Sequence, residues 1–173
     1  QLDILAHIPT HRRVCARGPH GLGKTTLAAW VVWWFGCTRD GEDWKLVTTA
    51  SVWRQLQQYL WPEIHKWSRQ VRWDVLGLTA PREGRELLDL ALKLRTGSAF
   101  AVASDQPTAI EGAHADQILY IFDESKAISD ATFDAIEGAF SAGEAYAVAI
   151  STPGEPLGRF YDIQRRSKGY EDW

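Results

Sequence analysis

The sequence predicts an α/β domain with a mainly parallel central sheet flanked by helices, and three observations carry the prediction. Extended apolar runs alternate with stretches of helical periodicity, the pattern that strand–helix–strand units leave. A glycine-rich segment, Gly18 to Gly23, separates one such run from a nearly all-apolar helical stretch. A continuous apolar run, Ile118 to Phe122, has the character of a strand covered on both faces, and it ends in two adjacent carboxylates, Asp123 and Glu124.

Arg13 to Arg17 reads as a short strand, and Lys24 to Phe35 as a buried helix that Gly36 and the polar run Thr38 to Asp43 should end. Lys45 to Thr49 is the next strand. Ser51 is expected to cap a helix through Trp53, Leu56, Tyr59 and Leu60, with Pro62 kinking or restarting it. Glu86 to Arg95 and Ala99 to Ser104 flank Thr96-Gly97-Ser98, where a hairpin turn is expected. The loop Asp105 to Gln117 leads into the apolar strand Ile118 to Phe122. Ala131 to Ala139 is helical, and Tyr146 to Ile150 is a further buried strand ending at Ser151-Thr152-Pro153. A charged tail follows Phe160. No repeat, low-complexity tract or interdomain linker interrupts the chain, so residues 1–173 form one expected domain.

At 173 residues the chain is long enough to bury a proper core. A net charge of -3 supplies no global basic signature, so contact with nucleic acid would require a local patch. Nine tryptophans are many for this length and are expected as core anchors rather than as a stacking platform for bases. Cys15 and Cys37 are too few for a disulfide framework and fit a reducing compartment. With His7, His11, His20, His65 and His114 they show no zinc-ligand spacing. Leu27 to Phe35 is too short an apolar stretch to span a bilayer, and no secretory signal is visible. The expectation is an intracellular, soluble domain, although the sequence opens at Gln1 without a methionine.

Gly18-Pro19-His20-Gly21-Leu22-Gly23-Lys24-Thr25 fits G-x-x-x-x-G-K-(S/T) at every specified position and stands between a strand and a helix. Such glycines let the backbone curl until successive N–H groups point at phosphate oxygens, and the following helix adds its positive end. Lys24 would reach the β and γ phosphates of ATP, and the Thr25 hydroxyl would ligand Mg²⁺. Asp123 would hold the same ion through its water shell. Glu124 would polarise the water that attacks the γ phosphate, which argues for hydrolysis over simple exchange. In a parallel sheet all strand ends gather at one edge, so Ser151, Thr152 and Pro153 should lie near the γ phosphate, with hydroxyls reaching that phosphate or its attacking water. Together these features specify a three-layer P-loop NTPase fold of the ASCE (RecA-like) type.

In order along the chain, the motifs resemble the ATPase domain of phage large terminase subunits. Gln1-Leu2-Asp3-Ile4-Leu5 looks like the glutamine segment that reads adenine in that family, and Val14 to Thr25 like its phosphate-loop strand. Val47-Thr48-Thr49-Ala50 before a helix with Gln55, Glu111-Gly112-Ala113-His114-Ala115 before the acidic strand, and Gly158-Arg159-Phe160-Tyr161 all have counterparts. Ser151-Thr152-Pro153 looks like the family's motif coupling hydrolysis to movement. Two departures stand out: Ser125 where an alanine is usual, and His20 where some branches carry an arginine.

The resemblance implies an ATP-binding set of Gln1, Gly18, Pro19, His20, Gly21, Leu22, Gly23, Lys24, Thr25 and Thr26. Glu124 and Lys24 are the expected catalytic residues; Arg17 is the nearest arginine in cis, acting on the phosphates or stabilising the loop, with Arg82, Arg85 or Arg95 of a neighbouring subunit as the rival. The resemblance further implies double-stranded DNA as the moved substrate, a homo-oligomeric ring docked on a portal ring, a small terminase subunit as partner, and work in the host cytoplasm on the procapsid. The family's C-terminal nuclease is not expected within these residues, nor is DNA cleavage. A helicase-like DNA translocase lobe is the main alternative, but such an enzyme needs a second ATPase-like lobe. A nucleotide-gated binding module has no need of Glu124, and a P-loop kinase would need an acceptor motif or an arginine-rich lid.

Overall fold

Along the central strands successive side chains point to opposite faces, and the apolar runs are long enough to feed two separate cores. The computed structural model describes residues 1–173. In chain order the elements are α1 (Leu2–His11), β1 (Arg13–Arg17), α2 (Lys24–Arg39), β2 (Trp44–Ala50), α3 (Trp53–Gln55), a π turn (Leu56–Leu60), α4 (Trp61–Ser68) and α5 (Trp73–Leu76). Then follow β3 (Leu87–Leu88), β4 (Ala91–Lys93), β5 (Gly97–Ala101), α6 (Pro107–Glu111), β6 (Gln117–Asp123), α7 (Asp130–Asp134), α8 (Glu137–Ala142), β7 (Glu144–Ser151) and α9 (Arg159–Gln164).

The seven strands make one sheet in the order β1-β7-β6-β2-β5-β4-β3. The five strands from β1 to β5 are parallel, and β4 and β3 extend the far edge as antiparallel hairpins. Leu119, Ile121, Val148 and Ile150 face a first core with Ile8 of α1, Val31 and Val32 of α2, and Leu60, Trp61 and Ile64 around α4. Tyr120, Phe122, Ala147 and Ala149 face a second, closed by Ile110, Phe133, Ile136, Phe160 and Ile163 from α6 to α9. The result is the expected three-layer sandwich.

Several local expectations are corrected. Helix α2 runs through Gly36 to Arg39, because Gly36 is a packing position: a Cβ there would come within 3.3 Å of the Trp44 ring and of Leu94. Ser51 does not cap; α3 starts from Val52 without a side-chain cap, and the Ser51 hydroxyl donates to Gln55 Oε1 at 3.1 Å. The stretch Ala131 to Ala139 divides into α7 and α8, and the segment Asp105 to Gln117 contains α6. The first residues, read above only as a glutamine segment, form α1.

Most tryptophans do serve the core. Trp44 and Trp61 are fully buried, and the Trp61 indole N–H donates to Thr48 Oγ1 at 3.1 Å. Trp53 is the exception, at 42% exposure. The charged tail is tied down through Arg13, a buried guanidinium that pairs with both oxygens of Glu137 and with Asp172 and lies 3.8 Å from the Phe140 ring centroid. The Trp173 ring centroid lies 5.7 Å from the same cation, and the ring is edge-on to Phe133.

Where β5 enters the sheet, Gly97 stands opposite Trp44 in the register, and a Cβ at Gly97 would overlap the Trp44 carbonyl oxygen and indole. Gly97→Ala is therefore expected to destabilise the domain by about 1–3 kcal/mol, the scale of overpacking. Chemical denaturation measures it; an unchanged midpoint would mean that Trp44 can step aside.

Candidate functional site

Strand β1 hands the chain to the glycine-rich loop, and the loop is stapled to the neighbouring strand: Gly18 N donates to Ser151 O at 3.1 Å. Gly23, the N-cap of α2, has φ +75°, a left-handed conformation that glycine adopts without strain, and Leu27 N closes the first helical turn on Gly23 O at 2.9 Å. Lys24 folds back over the loop and donates to Gly18 O (3.0 Å) and Pro19 O (2.9 Å). The ammonium thus occupies the mouth of a ring of backbone groups, a position from which it can pass to an anion. Pro19, His20, Gly21 and Leu22 form the exposed tip of the loop.

The Gln1 side chain reaches the same loop: its Nε2 donates to Leu22 O at 2.5 Å and to Gly23 O at 3.2 Å. With Ile4, Ala16, Leu27 and Ile150 it lines a cavity of about 240 Å³ beneath the loop. The Thr26 hydroxyl points away, donating to Glu63 Oε1 at 2.7 Å. Glu63 also accepts from Lys66 and Trp67; burial pushes its carboxyl up, but these donors outweigh it and hold the pKa below the ordinary value.

Strand β6 delivers the acids. By strand alternation Asp123 follows Leu119 and Ile121 onto the α2 face, the side where Thr25 begins its helix. Asp123 is 4% exposed, and its pKa is pushed up to about 6 by burial and then by the charge of Glu124, against the Glu124 N–H bond and the charge of Lys24. A buried carboxylate beside a second acid, with Thr25 in the first turn of α2, offers hard oxygen donors that suit Mg²⁺, an ion that usually takes only one or two protein ligands and completes its shell with phosphates and water. No group of three or more His, Cys, Asp or Glu is arranged around a common metal position.

Glu124 has φ +49°, an uncommon conformation for a side chain with a Cβ, and its N–H donates to Asp123 Oδ1 at 3.0 Å. The turn is held by Ser125, whose buried hydroxyl lies 2.8 Å from Phe122 O and 3.0 Å from Ile150 O and so bridges the ends of β6 and β7. That bridge gives the departure at Ser125 a physical role, since alanine has no donor to offer.

The strand-end hydroxyls differ from expectation. Ser151 Oγ and Thr152 Oγ1 donate to Glu124 Oε2 at 3.1 and 3.2 Å, so both have a protein partner where only phosphate or water was expected. The register is the reason: Asp123 lies opposite Ile150, which brings Glu124 level with Ser151. Lys126, which no sequence motif singled out, donates to Thr152 Oγ1 at 2.6 Å. Arg17 ends β1 exposed, beside Lys126 and Gly154 in a shallow pocket. Arg82 and Arg85 are committed to Glu86, and Arg95 to Asp40, at the opposite edge of the sheet.

Sheet order, phosphate loop and acid pair define a P-loop NTPase fold. Within that class the chain resembles the ATPase domains of phage large terminases. Two forms of the Thermus phage P74-26 large terminase ATPase domain, one a point variant, superpose with TM-scores of 0.72 and 0.67 at 20% and 19% identity, over 94% of this chain and 68% and 66% of theirs. The HK97 bacteriophage large terminase gives a TM-score of 0.64 at 18% identity, over 97% of this chain and 36% of that one. In sequence, 58 residues, 34% of this chain, are 41% identical to a probable terminase large subunit of Enterobacteria phage P7, and the match spans 12% of that protein. No protein-family model matches.

The raised pKa of Asp123 has a sign that can be measured. A carboxyl titrating at about 6 when folded and 3.8 when unfolded makes the folded state bind more protons between those values. Its ionised form therefore costs stability above pH about 6, and the cost disappears as pH falls toward 4. Asp123→Asn, whose amide oxygen can still accept from Glu124 N–H, is expected to raise the melting temperature of the ligand-free domain at pH 8, by at most about 3 kcal/mol of stability. The gain should shrink through pH 6 and vanish below 4 in calorimetric scans. A gain independent of pH would assign it to packing.

Proposed function

We propose that this chain is the ATP-hydrolysing motor domain of a viral DNA-packaging terminase. The observation that carries the reading is the meeting, at one sheet edge, of the Lys24 loop on β1, the Ser151–Thr152 end of β7 and the Asp123–Glu124 pair on β6. The likeness to large terminase ATPase domains supports the same reading.

Backbone N–H groups from Gly18 to Thr25 and the positive end of α2 receive the triphosphate. Lys24 exchanges two loop carbonyls for β and γ phosphate oxygens, a stronger charge-assisted contact. Thr25 and Asp123 would hold Mg²⁺, which would offset the charge of the phosphates. Glu124 orients the attacking water; one of its oxygens is engaged by Ser151 and Thr152, so the other is left to accept from water. Arg17, in cis and next to Gly18, is our choice for the cation that stabilises the transition state. Gln1 clamps the loop from beneath and lines the cavity in which a base could lie. Ser151, Thr152 and Pro153 couple the chemistry to movement, acting through Glu124. In the assembled motor a homo-oligomeric ring of such domains docks on the portal of a procapsid in the host cytoplasm, with the small terminase subunit, and moves double-stranded DNA.

Lys24→Ala is expected to abolish tight Mg·ATP binding, measured by calorimetry, while the domain stays folded. Glu124→Gln, nearly isosteric, should keep binding and lose roughly ~10²-fold in single-turnover hydrolysis, the scale of losing a general base. Parental turnover in Glu124→Gln would reassign the catalytic carboxylate. ATP binding retained by Lys24→Ala would remove the phosphate loop from the reading.

A further inference from the structure

The strand-end hydroxyls have a direction, and Lys126 sets it. An ammonium offers three donors and no acceptor. The 2.6 Å contact from Lys126 Nζ therefore consumes a lone pair of Thr152 Oγ1. The single Thr152 proton is left to point at Glu124 Oε2, 3.2 Å away. The backbone of the same lysine treats Ser151 alike: Lys126 N donates to Ser151 Oγ at 3.4 Å, and Ser151 Oγ donates to Glu124 Oε2 at 3.1 Å. Two hydroxyl protons converge on one carboxylate oxygen, and no protein donor is bonded to the other. Without the ammonium, the Thr152 hydroxyl would be free to rotate and to accept instead of donate.

The lysine has a seat of its own. A Cβ at Gly154 would stand 2.9 Å from Lys126 Cδ and 3.3 Å from its Cβ, although the Gly154 backbone is not left-handed and so does not itself require glycine. The absent side chain is room for the lysine stem. A longer contact from Lys126 Nζ to Pro153 O, at 3.5 Å, ties the ammonium to the backbone that leaves β7. Lys126 is an exposed residue whose charge rests on a hydroxyl and a carbonyl instead of on a carboxylate. Solvation alone would not favour that placement.

We propose that Lys126 is a positioning residue for hydrolysis: it orients the hydroxyls of Thr152 and Ser151 as donors to Glu124, anchoring one carboxylate oxygen and leaving the other for the attacking water. The inference rests on the ATPase reading above and assigns the lysine no contact with ATP.

The test measures ATP affinity by calorimetry and hydrolysis by single turnover, in the parent, Lys126→Met, Lys126→Arg, Thr152→Val and the Lys126→Met/Thr152→Val pair. Lys126→Met is expected to slow hydrolysis between about 10- and 100-fold, the scale on which misplacing a reacting group is felt, with ATP affinity unchanged. Lys126→Arg retains a donor and should recover part of the rate. In the Thr152→Val background the methionine should add little, because the path through the hydroxyl is already cut. Gly154→Ala should slow the parent but not a Lys126→Ala protein. Four results would overturn the role of Lys126 while leaving the ATPase reading intact: a parental rate in Lys126→Met beside an impaired Glu124→Gln, full additivity with Thr152→Val, no recovery in Lys126→Arg, or a loss of ATP affinity matching the loss of rate. A parent protein that does not hydrolyse ATP would overturn both.

Discussion

Strand β7 pairs in parallel with β1 on one side and β6 on the other, and this double pairing decides which residues can meet. The register sets Arg17 against Ser151 and Asp123 against Ile150, so the phosphate loop, the hydroxyls and the acids leave the sheet at one level. Two contacts lock that edge: the Gly18 N–H on Ser151 O, and the Ser125 hydroxyl between Phe122 O and Ile150 O. A one-residue slip in either pairing would turn every side chain of β7 to the opposite face. Both apolar cores resist such a slip, because the alternate residues of β7 are buried on both sides. Packing thus holds the geometry of the site, and the site in turn holds the costly features: a buried acid and a left-handed Glu124.

Those costs are concentrated. Burial and a neighbouring charge disfavour the ionised Asp123; the Glu124 N–H offsets part of that, and the ammonium of Lys24 is spent mainly on loop carbonyls. A ligand that brings both a cation and an anion satisfies Asp123 and the loop together.

The loop and the acid pair were legible in the sequence because backbone chemistry demands particular residues in unbroken order there: glycines where φ is positive, a lysine and a hydroxyl at the first helical turn, carboxylates at the end of an apolar run. The three-layer architecture followed from the same alternation. What depended on register was not legible. Nothing within Ser151-Thr152-Pro153 announces that its hydroxyls meet Glu124, since that contact is set by pairing between strands far apart in sequence. Lys126 matches no pattern, and only its reach across to Thr152 makes it distinctive. Gly36 and Ser51 misled for a related reason: each has a strong local preference that a tertiary partner, Trp44 or Gln55, overrides. Helix α1 was hidden behind the motif reading of its first residues.

The clamp at Arg13 gives the chain a direct link between its tail and its phosphate loop. Arg13 is the first residue of β1, and it holds Asp172 by an ion pair and lies beside the ring of Trp173. The end of the chain thus meets the starting end of β1, and that strand is held laterally by its ladder with β7. The other end of β1 is the phosphate loop. Through this one five-residue strand the tail contacts at Arg13 and the glycine-rich loop after Arg17 are joined without an intervening turn.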